Sequence, residues 1–353
     1  MKIGACGRGD MNEGNATRRD VIALGLAALG SACAQQVQAG DRRPHDLPAD
    51  DAPLALVSRH LQWTSAEDGI AIAAKAGFPS IAWTVRPGAH VAPDAVETEL
   101  PRIVSRTRAA GLATPLIITA INDVDSPGAE AILATMQSLG IRLYRIGAPR
   151  YDYKREFAPQ YAEFRARLQR LARLNARYGV TAVVHTHSYA NTIGGSAWDL
   201  WMVLQDLDPD LVAINFDIGH VTAKGGAGWR DSLHAAHAHV RAFSVKDFHW
   251  VRRLDAGLGE WPWQTEFVRP GDGMVNFAAA FSYLKAIRFS GPIETYYEYK
   301  VEVPGRAAPV DMLGTDFGKW QLEMPREMFV SLLKRDVDFY KAAYAKAAPN
   351  LES

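Results

Sequence analysis

Two histidines end a β-branched run in the middle of the chain, in the sequence Val183-Val184-His185-Thr186-His187. Side chains alternate between the two faces of a strand, so His185 and His187 point to the same side. A single buried histidine is usually a hydrogen-bonded core residue, whereas two at this spacing on a strand end favour a ligand or catalytic role. The sequence therefore predicts that both imidazoles belong to a site.

An aspartate and another histidine follow the next apolar run, in Asp217-Ile218-Gly219-His220. An ionised carboxylate at the end of an apolar strand costs free energy unless it pairs or binds a cation, and His220 can reach the same centre or a bound substrate. The alternative is that Asp217 only caps the following helix. That interpretation leaves His220 unexplained, so both residues are predicted to be functional.

A lysine ends the next predicted strand, in Ser244-Val245-Lys246-Asp247. Ser244 and Lys246 share a face and Asp247 faces away, so Lys246 is expected to point into the site. A lysine solvated on a loop is the alternative, because lysine is mostly exposed in folded proteins.

The last predicted strand carries Glu294, Tyr296 and Glu298 on one face, with Glu298 at its C-terminal end. An inward carboxylate there needs a cation or a proton. With the preceding histidines and aspartate it offers nitrogen and oxygen ligands that suit a divalent ion such as Mn²⁺, Mg²⁺, Zn²⁺ or Co²⁺. The two cysteines, Cys6 and Cys33, lie far away in sequence, so no thiolate ligand is predicted.

The elements that must bring these side chains together are eight short apolar runs that alternate with amphipathic stretches, the pattern of parallel strand–helix units. The predicted strands are 54–58, 80–85, 114–119, 142–146, 181–185, 212–216, 242–246 and 292–298. The predicted helices are 66–76, 94–110, 128–139, 156–178, 197–207, 230–237, 277–287 and 326–345.

Eight such units without a break in composition favour one closed (β/α)8 TIM barrel over residues 40–353. Two irregular stretches, 248–276 and 301–324, are longer than plain connections and are predicted to be functional loops after strands seven and eight. In this fold the carboxyl ends of the strands carry the chemistry, which is where the polar residues above fall.

Residues 1–39 are predicted to be an export signal with a flexible start. Arg18 and Arg19 precede a Gly/Ala-rich apolar run too short to span a bilayer, a pattern that resembles a twin-arginine signal with cleavage near residues 34–39. The protein is therefore expected to be periplasmic or exported. A lipid anchor on Cys33 is the alternative, although Gly30 stands where such a motif has a large aliphatic residue.

The amino-acid composition limits the classes of binding partner that are expected. The 353 residues are 48% hydrophobic and hold 39 basic and 39 acidic side chains, so the charge pattern of a nucleic-acid binder or a polybasic membrane protein is absent from the sequence. No nucleic acid and no membrane span are expected. The sequence allows a homo-oligomer without specifying one.

The order of the strand-end motifs resembles the xylose-isomerase-like TIM-barrel superfamily, the sugar phosphate isomerase/epimerase group, from about Leu54 to Tyr340. The motifs that carry the resemblance are Phe216-Asp217-Ile218-Gly219-His220, Val245-Lys246-Asp247, Pro270-Gly271-Asp272-Gly273 and Gly291-Pro292-Ile293 leading to Glu298-Tyr299.

The resemblance implies one divalent ion held by residues of strands five to eight. Asp217 and Glu298 match the family's ligand positions, and His185 stands where the family often has Glu. Ser244 stands where a strand-seven His is expected, so that ligand is missing, replaced by water, or supplied from the loop by His249.

The implied function is a divalent-metal-dependent isomerase or epimerase of sugars or keto-sugars that abstracts a proton next to a carbonyl, with a small-molecule sugar as substrate. The metal would act as a Lewis acid. Glu298 would be the base, or Lys246 if a neighbouring cation lowers its pKa. His187 and His220 would position hydroxyl groups of the substrate.

Arg86, His90 and Arg145, near the ends of strands two and four, are further candidates for substrate contacts, although exposed arginines are commonly only solvated. Two other functions stay open: a related lyase or dehydratase of keto-sugars, and a non-catalytic carbohydrate-binding barrel, favoured by Ser244 and His185. An apurinic-site endonuclease of the same superfamily fits poorly with the near-neutral charge and the export signal.

Overall fold

The computed structural model describes residues 52–352 except 148, 256, 258, 261 and 315–317. The predicted export signal, with Cys6 and Cys33, lies outside the described residues. Within the described residues no helix combines the length and the apolar character needed to cross a membrane.

Eight parallel strands close into a barrel, which confirms the predicted (β/α)8 fold. In chain order they are β1 (Leu54–Val57), β2 (Ser80–Val85), β3 (Leu116–Thr119), β4 (Leu143–Arg145), β5 (Thr181–His185), β6 (Val212–Asp217), β7 (Val240–Val245) and β10 (Ile293–Thr295). Each strand pairs with its sequence neighbour in the barrel, and β10 closes the ring against β1.

Helices follow the strands and cover the barrel. They are α1 (Ala66–Ala76), α2 (Val96–Ala109), α3 (Ala129–Leu139), α4 (Phe157–Tyr178), α5 (Trp198–Leu204), α6 (Ile218–Gly225), α7 (Trp229–Ala236), α8 (Phe277–Ala286) and α9 (Arg326–Lys346). Local chemistry sets their ends: Ser65 accepts a hydrogen bond from the Asp68 amide to begin α1, and Gly77, at φ 93°, ends it.

The helix α6 was not predicted. It begins directly after β6, with Asp217 as its N-cap residue: Oδ1 of Asp217 accepts a hydrogen bond from the His220 amide at 2.9 Å. The helix is short and contains two glycines, so its apolar periodicity is weak in the sequence. The capping interpretation of Asp217 is therefore correct, and it coexists with a place in the site.

The predicted irregular loop at 248–276 is in part a hairpin. Strands β8 (Asp247–Arg252) and β9 (Trp263–Val268) pair antiparallel in register. The carboxylate of Asp247 anchors the end of the hairpin by accepting hydrogen bonds from the amides of Gly271 and Gly273, both at 2.9 Å. The Gly-rich motif that supported the family resemblance thus fixes this loop.

The connection after β10 contains a second small sheet, of β11 (Lys300–Val301) and β12 (Val310–Asp311). The last barrel strand is shorter than predicted, since β10 stops at Thr295. Glu298 therefore lies in the loop after the strand instead of at its end.

Candidate active site

A cavity of about 240 Å³ opens at the carboxyl ends of the barrel strands. The half formed by β5, β6, β7 and β10 contributes imidazoles, an amine and a carboxylate, from His185, His187, Lys246 and Glu298. The half formed by β1 to β4 and their loops contributes guanidinium groups. The structure thus places donors from distant parts of the sequence around one mouth.

Lys246 points into the barrel, and its side chain is 2% exposed. Its Nζ donates to His220 Nε2 at 3.0 Å and to Glu298 Oε2 at 3.1 Å, and it lies 3.5 Å from Asp217 Oδ2. The ammonium also lies over the Tyr296 ring, 4.5 Å from its centroid. An ammonium has three hydrogens, and three acceptors surround this one.

Burial alone would lower the pKa of Lys246, but the carboxylates of Glu298 and Asp217 raise it above its ordinary value. Lys246 is therefore a charged hydrogen-bond donor at neutral pH. The sequence hypothesis that Lys246 acts as a base requires a lowered pKa, and the two neighbouring carboxylates give the opposite shift. That role is not supported by these surroundings.

The imidazoles of His187 and His220 form a chain that begins at Lys246. His187 Nδ1 lies 3.1 Å from His220 Nε2, and Ser188 Oγ lies 2.9 Å from His220 Nδ1. Because Nε2 of His220 accepts a hydrogen bond from Lys246, the ring hydrogen of the neutral His220 must sit on Nδ1, where it points to Ser188 Oγ. Burial lowers the pKa of both histidines, so both are neutral near pH 7.

His185 and Asp217 pair at the base of the cavity, with His185 Nε2 3.3 Å from Asp217 Oδ2. Both side chains are buried. Burial lowers the pKa of His185, and the positive charges of Arg145 and Lys246 lower it further. The Asp217 amide donates to Thr186 Oγ1 at 2.8 Å, which ties β6 to the end of β5.

Ser244 belongs to a buried polar network below the cavity. Its Oγ lies 2.7 Å from Asn215 Oδ1 and 3.1 Å from Glu294 Oε2, and Glu294 also accepts from the Asn215 amide group. Arg145 lies 3.7 Å from Glu294. Burial raises the pKa of Glu294. The sequence pattern places Glu294 on the same face as Glu298 without indicating a role, and in the structure Glu294 and its hydrogen-bond partners fill the barrel interior.

The histidines His185, His187 and His220 form a candidate metal site, because one ligand atom of each lies within 4.8 Å of the others. Three neutral imidazoles match the ligand number and type of many zinc sites. His249 lies outside this group: it is exposed on β8, with Nε2 against the Asp272 carbonyl oxygen.

The donors therefore fit a metal ion, but Lys246 competes with it. An ion bound to His220 Nε2 would displace the hydrogen bond from the ammonium. A divalent and a monovalent cation repel by about 8 kcal/mol at about 4 Å for an effective dielectric constant of about 20. The carboxylates Asp217 and Glu298, predicted as metal ligands, both face the ammonium.

Two of the three predicted substrate contacts line the cavity. Arg86 donates through Nε and Nη2 to the Thr119 carbonyl oxygen, at 2.8 and 2.6 Å, and Arg145 donates to the Tyr296 hydroxyl. His90 is not among the lining residues: its Nε2 lies 3.1 Å from the Thr64 carbonyl oxygen and its ring packs edge-on against Trp83. The predicted substrate contact of His90 is therefore not found, because its ring packs against Trp83 and the Thr64 carbonyl instead of lining the cavity.

Several residues that line the cavity were not predicted from the sequence, among them Arg59, Arg150 and Tyr189. Arg59 lies in the 3-10 turn Ser58–Leu61, directly after β1, so its strand-end position was a usable signal. The Tyr189 ring stacks on His187 at a centroid distance of 5.3 Å. Arg150 and Tyr189 lie several residues beyond the ends of β4 and β5, so no strand-end pattern in the sequence marked them.

A protein-family model described as a xylose isomerase-like TIM barrel matches residues 70–312. Inosose dehydratase of Geobacillus thermodenitrificans is 25% identical over 173 residues, which cover 46% of this chain and 56% of that protein. The chain thus spans about half the length of this curated relative.

Solved structures share the fold at low identity. They are the probable 3-DHS dehydratase AsbF of Bacillus anthracis (16% identity, TM-score 0.56, 81% of this chain and 97% of that one), D-psicose 3-epimerase of Clostridium cellulolyticum H10 (14%, 0.58, 83% and 99%), and IOLI protein with a zinc atom (15%, 0.59, 83% and 99%). At these identities the likeness shows the fold alone.

Proposed function

Because the chain belongs to the xylose isomerase-like TIM barrel family, we propose that it is an enzyme that moves a proton at a carbon next to the carbonyl of a sugar or keto-sugar. The observation that carries the proposal is the ammonium of Lys246 held between Glu298 and His220 at one wall of the cavity. A carboxylate, a fixed cation and neutral imidazoles are the groups that such proton transfers use.

In the proposed reaction Glu298 takes the proton from the carbon beside the carbonyl. The electron pair of the broken C–H bond moves to the carbonyl oxygen, and the resulting enediolate is stabilised by the Lys246 ammonium, which is already charged and desolvated. The hydrogen of the adjacent hydroxyl passes to the former carbonyl oxygen, and return of the abstracted proton to the former carbonyl carbon gives the isomer. Lys246 keeps its own proton throughout this sequence.

The neutral imidazole of His187, which lines the cavity, is placed to exchange a proton with a substrate hydroxyl. His220 cannot rotate freely, because Lys246 and Ser188 hold its two nitrogens. His187 Nδ1 lies 3.1 Å from His220 Nε2, so the fixed His220 ring supports His187. A metal ion bound to the three histidines would supply Lewis-acid polarisation of the substrate oxygens.

A dehydration is the second candidate. Glu298 is the one carboxylate among the described residues that line the cavity, and Asp217 and Glu294 are buried behind it. Epimerisation by two carboxylates on opposite faces of a substrate needs a second carboxylate at the cavity, and the described lining residues supply only one. Elimination needs one base and one acid. Glu298 would take the proton from carbon, and the Lys246 ammonium would protonate the departing hydroxyl, which leaves as water. Glu298 would then return its proton to Lys246, 3.1 Å away. The similarity in sequence to an inosose dehydratase supports this candidate.

The experiment is an assay in deuterium oxide against a panel of sugars and 3-keto-sugars, with NMR detection of exchange, isomerisation and loss of water. Glu298→Gln should abolish exchange, whereas Glu302→Gln, an exposed carboxylate nearby, should not. The absence of exchange and turnover across the panel, with sugar binding retained, would favour a non-catalytic carbohydrate-binding barrel.

We also propose that the protein is exported by the twin-arginine route. The proposal rests on Arg18 and Arg19 before a short apolar run. A homo-oligomer stays a prediction, which light scattering of the purified protein would test.

A further inference from the structure

The half of the cavity opposite Lys246 and Glu298 is lined by arginines. Arg59 follows β1, Arg86 follows β2, Arg145 ends β4 and Arg150 lies in the next loop. Barrel closure places these four guanidinium groups in the half of the barrel formed by β1 to β4, facing the imidazoles and the amine across the mouth.

Two of these arginines are held by neutral partners. Arg86 donates to a backbone carbonyl, that of Thr119, and Arg150 donates to Asn191 Oδ1 at 3.3 Å. No carboxylate of the described residues pairs with either. Arg145 lies 3.7 Å from Glu294, on the side away from the mouth. Arg86, which is half-buried, and Arg150, which is exposed at the rim, therefore line the cavity without a carboxylate partner among the described residues.

The charges of the cavity do not balance. Five cations line it, the four arginines and Lys246, against one lining carboxylate, Glu298, and two buried carboxylates behind it, Asp217 and Glu294, counted over the described residues. Burial, and next the charge of Arg145, lower the pKa of Arg86 to about 10. Concentrated positive charge in a cavity costs free energy that an anionic ligand offsets.

We propose that the substrate carries an oxyanion, a carboxylate or a phosphate group, which Arg86 and Arg150 bind while its carbonyl end faces Lys246 and Glu298. The inference rests on the proposed function for the position of the carbonyl. Guanidinium groups bind carboxylate and phosphate oxygens through charge-assisted hydrogen bonds. A cavity of about 240 Å³ restricts the ligand to a small molecule, such as a single sugar acid or sugar phosphate.

The test compares three probes of the same ring: D-glucose, D-glucuronate and D-glucose 6-phosphate, titrated calorimetrically into the full chain at low salt. At least one anion should bind roughly ten-fold tighter than glucose or better, and added salt should reduce the difference. Preference for glucuronate identifies a carboxylate site and preference for glucose 6-phosphate a phosphate site. Equal binding of all three overturns the inference.

Variants assign the effect to the arginines. Arg86→Gln and Arg150→Gln should each reduce the preference for the anion, whereas Arg173→Gln, an exposed arginine on α4, should leave it intact. Because Arg86 also holds the end of β3 through Thr119, Arg150→Gln is the variant that keeps the test valid if Arg86→Gln fails to fold. Unchanged preference in a folded Arg150→Gln and Arg86→Gln protein contradicts the assignment.

Deuterium exchange on a neutral keto-sugar separates this inference from the proposed function. Exchange without any preference for anions overturns the inference and leaves the function standing. Tight, arginine-dependent binding of an anion without exchange on either kind of substrate overturns the function and leaves the anion site standing.

Discussion

At the scale of single residues, the site depends on the contacts of one buried amine. Lys246 touches a carboxylate, an imidazole and an aromatic ring, and the carboxylate of Asp217 lies close by. Since each of these groups faces the ammonium, its removal leaves buried acceptors without a partner. Replacing Lys246 should therefore change both the rate of the proposed reaction and the affinity for a metal ion.

Replacing Lys246 by Gln should reduce turnover and deuterium exchange by roughly 100-fold or more, because the charge that stabilises the enediolate is lost. Lys75→Gln, at an exposed lysine of α1, is the matched control. Circular dichroism of both variants checks that they fold. A Lys246→Gln protein with wild-type exchange would falsify the assigned role.

Replacing Lys246 by Met should instead strengthen zinc binding. The substitution removes the ammonium that contacts His220, so the three histidines can receive an ion without repulsion, and we expect affinity to rise roughly ten-fold or more. Competition with a chromophoric chelator measures it. His237→Ala, at an exposed histidine, should leave zinc affinity unchanged, and equal affinities of wild type and Lys246→Met would contradict the competition.

At the scale of elements, short segments around the barrel decide which groups are buried. The 3-10 turn Ser58–Leu61 buries His60, whose Nε2 accepts from the Tyr297 amide at 3.2 Å while Nδ1 faces the Met312 carbonyl oxygen at 3.4 Å. This histidine joins the end of β1 to the connection after β10. It is a structural group held in the neutral form.

Stability should fall as the pH falls below 6.5. Burial lowers the pKa of His60 from 6.5 to about 3. Between these two pH values the unfolded chain therefore binds a proton that the folded chain does not. The loss from this residue is about 1.4 kcal/mol for each pH unit. Urea titrations between pH 7 and 4 measure the slope, which His60→Gln should reduce and His237→Gln, at an exposed histidine, should not.

Gly273 sets how the hairpin of β8 and β9 is attached. A Cβ at this position would clash with the Asp247 carboxylate, which also accepts the Gly273 amide. Gly273→Ala should destabilise the protein by about 1–3 kcal/mol and increase amide hydrogen exchange along β8 and β9. Gly228→Ala, where open space surrounds the new methyl, is the control. Unchanged exchange in the hairpin would contradict this anchoring.

The sequence predicts the barrel well because parallel strands and amphipathic helices have strong periodicities, and eight strand–helix units leave few topologies. It predicts β8, β9 and α6 poorly, since these elements are short. The attachment of the hairpin depends on the contacts of Asp247, and the start of α6 depends on the cap that Asp217 provides. It finds His185, His187, Asp217 and Lys246 because strand-end polar residues converge in this fold. It cannot find Arg150, or the outward turn of His90, because loops and rotamers are set by tertiary contacts.

At the scale of the whole molecule, the strands divide the cavity into two halves with different chemistry. The groups proposed to move protons come from the ends of β5 and β7 and the segment after β10, and the guanidinium groups come from the strands β1 to β4 and their loops. A ligand that spans the mouth would meet both. The separation means that binding and proton transfer can be altered independently by substitution.

The location of the whole chain is also testable. Replacing Arg18 and Arg19 by Lys should retain the protein in the cytoplasm, because the twin-arginine pair is the recognised feature of the proposed signal. Fractionation of expressing cells measures the distribution. The same exchange at Arg42 and Arg43, beyond the proposed cleavage region, is the control, and equal periplasmic amounts for all forms would contradict the proposal.

Asp217 serves the backbone with one oxygen and the side-chain cluster with the other: Oδ1 accepts the amide that begins α6, and Oδ2 faces His185 and Lys246. A replacement must supply two acceptors at the same reach, and among the common side chains no other carries two anionic oxygens on so short a stem. Mutational drift here is therefore constrained on two counts. In a descendant of this protein that abandoned its chemistry, the helix alone would still require an N-cap acceptor here, which Asn, Ser or Thr could also supply.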